Sequence, residues 1–312
     1  MDIDTLLKKC RNSALNVRAT NTAKAYSQSL RVFAVFLDSQ EIDLTDDVSA
    51  IPPALFAEFP GWLSGQGYSK KTLNVYMSGA KFLMDYMVIE RLLELTYYDT
   101  VRYHAAVRNV YRKREEHLPR FPKRDDVDRM LEAAYAMPEK SPRKERNIAI
   151  VELLASSGCR NNEIVQLNVK DIDFEERSMV VTGKGSKQRR AFFSKAAAKA
   201  IRDYWLARHN SDPSAPAFAR HDLGATKIGT RRLTTTAVRN VINYVAVFAG
   251  IEKALFSPHY FRHAFAIKLL SETHNLALVQ DLMGHASPQA TRVYAKIYPE
   301  DLRDAHREVF DG

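Results

Sequence analysis

Apolar positions recur every three or four residues through the first third of the chain. Thr22, Tyr26, Leu30, Phe33 and Leu37 fall on one stripe, which predicts an amphipathic helix. Pro52-Pro53 opens another helical segment, with Leu55, Phe56 and Phe59 on its apolar side. Ser69 reads as an N-cap, followed by the stripe Leu73, Tyr76, Ala80, Leu83 and Met87. Residues 1 to about 108 therefore read as helical. Beyond them the pattern becomes mixed. Helices are predicted over residues 125–137 and 145–156, the latter with Ile148, Val151, Leu154 and Ala155 inward. Met179-Val180-Val181-Thr182 and Ala191-Phe192-Phe193 read as strands flanking the turn Gly183-Lys184-Gly185-Ser186, a β-hairpin signal. Further helices are predicted near 195–208, 234–249, 259–272, 275–283 and 288–297. The fold class is mostly α with a small antiparallel β-sheet.

Between the two patterns lies a crowd of basic residues: Arg102, Arg108, Arg112, Lys113, Arg114, Arg120, Lys123 and Arg124, with Pro119 and Pro122 among them. This change of character predicts a boundary near residue 118: a helical domain over 1–112, a basic linker over 113–124 and a mixed domain over 125–312. A chain of 312 residues suits two such domains.

Charge narrows the class of partner. Lys+Arg exceed Asp+Glu by 46 to 37, a formal net charge of +9, which directs attention to nucleic acid, with a solvated basic surface as the plain alternative. Lys70 and Lys71 sit in the first turn of a predicted helix, where the dipole disfavours them, and a DNA phosphate would offset that cost. Cys10 and Cys159 are far apart and make neither a disulfide framework nor a thiolate metal cluster. The N-terminus lacks a signal-peptide pattern, and no stretch is apolar and long enough for a membrane span. The expectation is a soluble cytoplasmic protein, associated with the nucleoid.

Four short segments carry candidate chemistry. Arg160 and Glu163 stand three apart at the start of a helical pattern, a spacing that puts both on one face. An arginine there can hold two phosphate oxygens, and a surface ion pair is the plain alternative. Ser257-Pro258 reads as an N-cap with proline at the first helical position, so His259 and Arg262 share the first turn, where a helix favours an anion. His259 and His263 have the i, i+4 spacing of metal ligands, but no third ligand accompanies them, and no metal is expected. Gly183-Lys184-Gly185-Ser186 lacks the first glycine of a P-loop and joins strand to strand, which argues against a nucleotide site. A lysine on that hairpin tip suits protonation of a leaving oxygen: Lys184, with Lys187 as competitor. Ser287-Pro288 repeats the cap-plus-proline device and sets Tyr294 on a short helix, with Tyr298 as the competing nucleophile.

With these residues assembled, the chain resembles the tyrosine recombinase (phage integrase) family, and most of all its Xer-type members. Gly158-x-Arg160-x-x-Glu163-Ile164 is similar to the first arginine box, Gly183-Lys184-Gly185 follows, and His259-x-x-Arg262-His263 is similar to the second box. Leu282-Met283-Gly284-His285 is similar to the third, and Tyr294 stands nine residues beyond His285. Thr22-x-x-x-Tyr26 and Thr72-x-x-x-Tyr76 are similar to the family's helical core-binding domain. Cys159, where an apolar residue is usual, and the polar pair Asn161-Asn162 depart from the pattern.

The resemblance implies a core-binding domain and an α+β catalytic domain forming a C-shaped clamp on duplex DNA. It implies that Tyr294 attacks a phosphodiester to form a 3′-phosphotyrosyl link, while Arg160 and Arg262 hold the non-bridging oxygens. Lys184 would protonate the leaving 5′-oxygen, His259 and His285 would assist with hydrogen bonds and proton movement, and Glu163 would brace the site. Lys70, Lys71, Arg112, Lys113, Arg114, Thr235 and Arg239 are the candidate DNA contacts. The last two lie in Arg231-Arg232-Leu233-Thr234-Thr235-Thr236-Ala237-Val238-Arg239, a basic segment that in the family enters the major groove. No cofactor is implied. The expected partners are a short inverted-repeat site, further copies of the chain in a tetramer joined through a C-terminal helix near 301–306, and an accessory activator protein. With a core-binding domain expected close to the first residue, no additional arm-binding domain is expected. The implied role spans chromosome or plasmid dimer resolution and mobile-element integration or excision. The alternatives are a type IB topoisomerase-like DNA relaxer and a catalytically silent DNA-binding relative.

Overall fold

A computed structural model describes residues 1–112, 124–183, 187–221, 231–251 and 257–284, together with Thr291 and Tyr294. The chain divides into two compact units, Met1–Leu118 and Pro119–Gly312. No helix among the described residues is long and apolar enough to cross a membrane.

The described part of the first unit is helical: α1 (Ile3–Val17), α2 (Thr20–Asp38), α3 (Pro53–Gly65), α4 (Lys70–Ile89) and α5 (Tyr97–Arg112). Local chemistry starts two of these helices. The Asp2 carboxylate accepts from the Thr5 backbone N–H at 2.7 Å, and the Ser69 hydroxyl accepts from that of Thr72 at 3.2 Å. The predicted stripes supply the core: Leu30, Phe33, Leu37, Leu73, Ala80, Leu83 and Met87 are all buried. Phe33 stacks on Phe56 and meets the edge of Phe59 across the α2–α3 junction. The α2–α4 seam is close at Gly79, where an added Cβ would lie 2.2 Å from the Ser29 hydroxyl. The basic residues of 102–112 belong to α5, so the basic crowd starts inside a helix rather than beyond it.

In the second unit, α6 (Arg124–Ala136) leads into α7 (Arg143–Ser157), whose residues 146–154 are all buried. A helix enclosed on every side has no polar face to display, and here it forms the centre of the unit. Gly158 ends α7 at φ 60°, in the left-handed region. The short helix α8 (Asn161–Gln166) follows, then β1 (Ile172–Asp173), β2 (Ser178–Thr182) and β3 (Gln188–Phe192). These strands form one antiparallel sheet in the order β1-β2-β3, with Val181 opposite Arg189. Then come α9 (Lys195–Ala207), α10 (Thr235–Phe248), α11 (Pro258–Thr273) and α12 (Leu276–Met283). The predicted helix over 288–297 falls outside the described residues except for Thr291 and Tyr294, both helical.

One local expectation needs correction. Arg160 is not on a helix face with Glu163. It is the extended N-cap of α8, and Glu163 reaches back to accept its backbone N–H at 2.8 Å. The helix expected near 234–249 begins at Thr235, with the Thr234 hydroxyl accepting from the Ala237 N–H. Arg232 is committed to structure: its guanidinium donates to the carbonyls of Val165 and Leu167 at 2.8 and 2.9 Å and to the Asn168 side chain.

Candidate active site

The site forms where the N-cap of α8, strand β3, the first turns of α11 and the end of α12 meet. Glu163 is its organising carboxylate, with 2% of its side chain exposed. It binds the Arg160 guanidinium at 2.8 Å through Oε1 and that of Arg189 at 2.8 Å through Oε2. Burial pushes its carboxyl up, but the Arg160 N–H and the Arg189 and Arg160 charges more than reverse that, leaving it below the usual glutamate value. Gly183, at the root of the hairpin, lies against Glu163, and its N–H closes the turn onto the Lys187 carbonyl at 2.8 Å.

Arg262 is almost wholly buried on α11. Its guanidinium donates to the Gly158 carbonyl behind α7 and to the Met283 carbonyl at the end of α12. Burial and the Arg160 charge bring its pKa down to about 10, with Glu163 acting the other way. Arg189 donates to the Leu282 carbonyl at 3.0 Å, and Arg160 to the Gly284 carbonyl at 3.3 Å. Three arginines from three elements thus donate to three successive carbonyls, those of Leu282, Met283 and Gly284. These are groups that a helix C-terminus leaves without intrahelical partners, and its dipole favours cations there. Gly284 is required at this junction: its φ is 60°, and a Cβ would lie 2.5 Å from Arg189 Cδ.

Tyr294 is 3% exposed and packs among Ala266, Leu270, Val279 and Met283. Its hydroxyl lies 2.8 Å from Nδ1 of His263. Burial raises the phenol above its ordinary value, while the Arg262 and Arg160 charges pull it back. Burial, His259 and Arg262 all lower His263, which holds the imidazole neutral. Cys159 is buried, and burial raises its thiol to about 11, so it sits beside Arg189 as a neutral packing group.

The structure brings together Arg160, Glu163, Arg262 and Tyr294 from the expected set. His259 lies on the same turn of α11 and is exposed, whereas Arg262 points inward, and the Ser257 side chain does not cap α11. Lys184 and His285 lie outside the described residues, as do Lys113, Arg114, Tyr298, the segment 301–306 and all of the expected linker except Arg124. Among the candidate DNA contacts, Lys71 and Arg239 are exposed, Lys70 and Thr235 are half-buried, and Arg112 ends α5. The Thr235 carbonyl accepts from the Asn161 side chain at 2.9 Å, a tie between α8 and α10 that gives the polar Asn161 a structural use. Among the described residues, no group of three histidine, cysteine or carboxylate side chains is arranged to hold a metal.

Two side chains were missed by sequence reasoning. Arg189 pairs with Glu163 across 26 residues, and only the β2–β3 register brings it there. His263 stands in the second box beside Arg262, but its i, i+4 spacing to His259 raised only a metal pair, which was set aside for want of a third ligand, and nothing in the spacing pointed to the tyrosine.

Helices around a small antiparallel sheet, with arginines gathered beside a buried tyrosine, define a tyrosine recombinase. The chain belongs to the phage integrase family, whose model matches residues 121–301. It is 33% identical over 298 residues to the tyrosine recombinase XerD of Mycobacterium tuberculosis, covering 92% of this chain and 90% of that one. It is 30% identical over 291 residues to the tyrosine recombinase XerC of Chromohalobacter salexigens, covering 92% and 89%. Among solved structures, the fold is similar to that of the XerH site-specific recombinase bound to palindromic difH substrate in a post-cleavage complex. The TM-score is 0.71 at 22% identity, over 97% of this chain and 84% of that one, a likeness of fold.

Proposed function

We propose that this chain is a site-specific DNA recombinase that cuts and rejoins duplex DNA through a 3′-phosphotyrosyl intermediate. The observation that carries the reading is the gathering of Arg160, Arg262 and Tyr294 at the end of α12, where Arg160 and Arg262 donate to the Gly284 and Met283 carbonyls and Tyr294 packs with Met283. Tyr294 attacks the scissile phosphorus, Arg160 and Arg262 hold the non-bridging oxygens, and Lys184 protonates the leaving 5′-oxygen. His259 and His285 supply hydrogen bonds, and Glu163 keeps Arg160 in place. Negative charge accumulates on the phosphoryl oxygens at the transition state, and cations fixed beforehand stabilise it. The covalent link conserves the phosphodiester, so a 5′-hydroxyl from a second strand reverses the step and exchange needs no ATP.

The relatives named XerC and XerD, and the XerH complex with its DNA, support duplex DNA with short inverted repeats as the substrate. Residues 1–112 then act as a core-binding domain joined by the basic stretch 113–124 to the catalytic domain. Lys70, Lys71, Arg112, Lys113 and Arg114 contact phosphates, and Thr235 and Arg239 read bases. Assembly on DNA is tetrameric, through the C-terminal residues, with an accessory activator. The test is a nicked suicide substrate that traps the covalent adduct. Wild type forms the adduct, and Tyr294→Phe abolishes it without loss of DNA binding. An adduct formed by Tyr294→Phe overturns the assignment of the nucleophile and moves the search to Tyr298.

A further inference from the structure

We propose that His263 is a catalytic residue of this reaction: its Nδ1 holds the Tyr294 hydroxyl and takes the proton as the phenolic oxygen attacks phosphorus. This deepens the recombinase reading and rests on it.

The geometry is that of a base and its acid. Nδ1 lies 2.8 Å from the hydroxyl oxygen, and the two rings are tilted at 59° with centroids 5.6 Å apart. His263 follows Arg262 directly in α11, and the Arg262 side chain ties that turn to the Gly158 and Met283 carbonyls. A neutral imidazole has one accepting nitrogen, and if Nδ1 accepts the phenol proton, the ring proton is on Nε2. Among the described residues, the groups acting on this ring are His259 and Arg262 of its own helix and the Tyr294 hydroxyl. The two on α11 disfavour a positive imidazole, as burial does, which keeps the lone pair available. Tyr294 in its turn is a buried phenol whose pKa burial raises, with the Arg262 and Arg160 charges acting the other way. His259, by contrast, is exposed.

The step balances. The Tyr294 O–H bond breaks and its proton moves to His263 Nδ1, while the oxygen forms a bond to phosphorus. The bond from phosphorus to the 5′-oxygen breaks, and its electron pair stays on that oxygen, which takes a proton from Lys184. In religation a 5′-hydroxyl attacks and passes its proton to Lys184, and the departing Tyr294 oxygen recovers the proton held by His263.

The test is single-turnover adduct formation on the nicked substrate across about pH 5 to 8, the range in which an imidazole titrates. Wild type should lose rate as pH falls through an apparent pKa below the ordinary histidine value, because protonated His263 cannot accept. His263→Asn keeps an acceptor near the Nδ1 position but cannot take the proton. It should slow the adduct by roughly 100-fold or more and abolish the acidic limb, with DNA affinity unchanged. A 5′-bridging phosphorothiolate, whose sulfur leaves without protonation, should restore cleavage to Lys184→Ala but not to His263→Asn. Three results would overturn the proposal: a His263→Asn rate within about threefold of wild type, an acidic limb that persists in that variant, or its rescue by the phosphorothiolate. Tyr294→Phe, run alongside, separates the two levels. An adduct in that variant refutes the nucleophile itself. Its absence, with His263→Asn fully active, refutes only the role of His263.

Discussion

Replacing Glu163 with glutamine removes one charge and almost no volume, so its effect isolates the electrostatics of the cluster. The carboxylate is 2% exposed and binds Arg160 and Arg189 at 2.8 Å each, besides the Arg160 backbone N–H. Glutamine offers a single acceptor oxygen, and its amide then meets a guanidinium donor to donor. Breaking a buried pair by removing one partner costs about 3–5 kcal/mol. The Arg160 side chain is 36% exposed, so water screens part of its charge and the lower figure, about 3 kcal/mol, applies. At about 2–4 °C per kcal/mol for a unit of this size, the midpoint of the second unit should fall by about 6–12 °C. The chain has two tryptophans, Trp62 in the first unit and Trp205 in the second. In a Trp62→Phe background, Trp205 fluorescence therefore reports the second unit alone. Acid supplies a second signature. Folded Glu163 titrates below its ordinary value of 4.5, so its contribution is full above that value and is lost as pH falls through the folded pKa. The gap between wild type and Glu163→Gln should be widest at neutral pH and close in acid. A midpoint within about 2 °C of wild type at neutral pH, or a gap that does not narrow in acid, would refute the reasoning.

Arg189→Lys keeps the charge but cannot serve both Glu163 and the Leu282 carbonyl. Losing one charge-assisted hydrogen bond of about 1.5–3 kcal/mol should slow single-turnover adduct formation about 10- to 100-fold, and a rate within about threefold of wild type would exclude a role for Arg189 in the site. Gly79→Ala should gain up to about 1 kcal/mol of helix propensity but lose about 1–3 kcal/mol to the clash with Ser29, whose hydroxyl bonds the Tyr76 carbonyl at 2.6 Å. Trp62 fluorescence in a Trp205→Phe background should show a lowered first-unit midpoint, and a raised one would mean that the α2–α4 seam can open without cost.

Helical stripes were legible because each is a local property: Leu73 through Met87 and Leu30 through Leu37 bury the side that their spacing selects. The hairpin was legible for the same reason. Arg160 with Glu163, and the proline that opens the helix of Arg262, were visible as short local patterns, although Arg160 proved to be a cap rather than a face and the Ser257 side chain does not cap α11. What could not be read are contacts that only packing creates. Arg262 meets the Gly158 carbonyl across 104 residues, and His263 meets Tyr294 across 31. The anchoring of Arg232 at the Val165 and Leu167 carbonyls is of the same kind, because sequence shows a side chain's type and not the carbonyls around it.

The contact of three guanidiniums with Leu282, Met283 and Gly284 also governs how substitutions combine. Arg160 and Arg189 each hold Glu163 and one of these carbonyls, and Arg262 holds the third. Within such a ring the loss of one member loosens what its neighbours hold, so effects of single changes do not sum. Once one link is broken, a second break costs less than it would alone. Drift at any one of these positions is therefore epistatic with the rest: the ring tolerates replacement as a set far better than piece by piece.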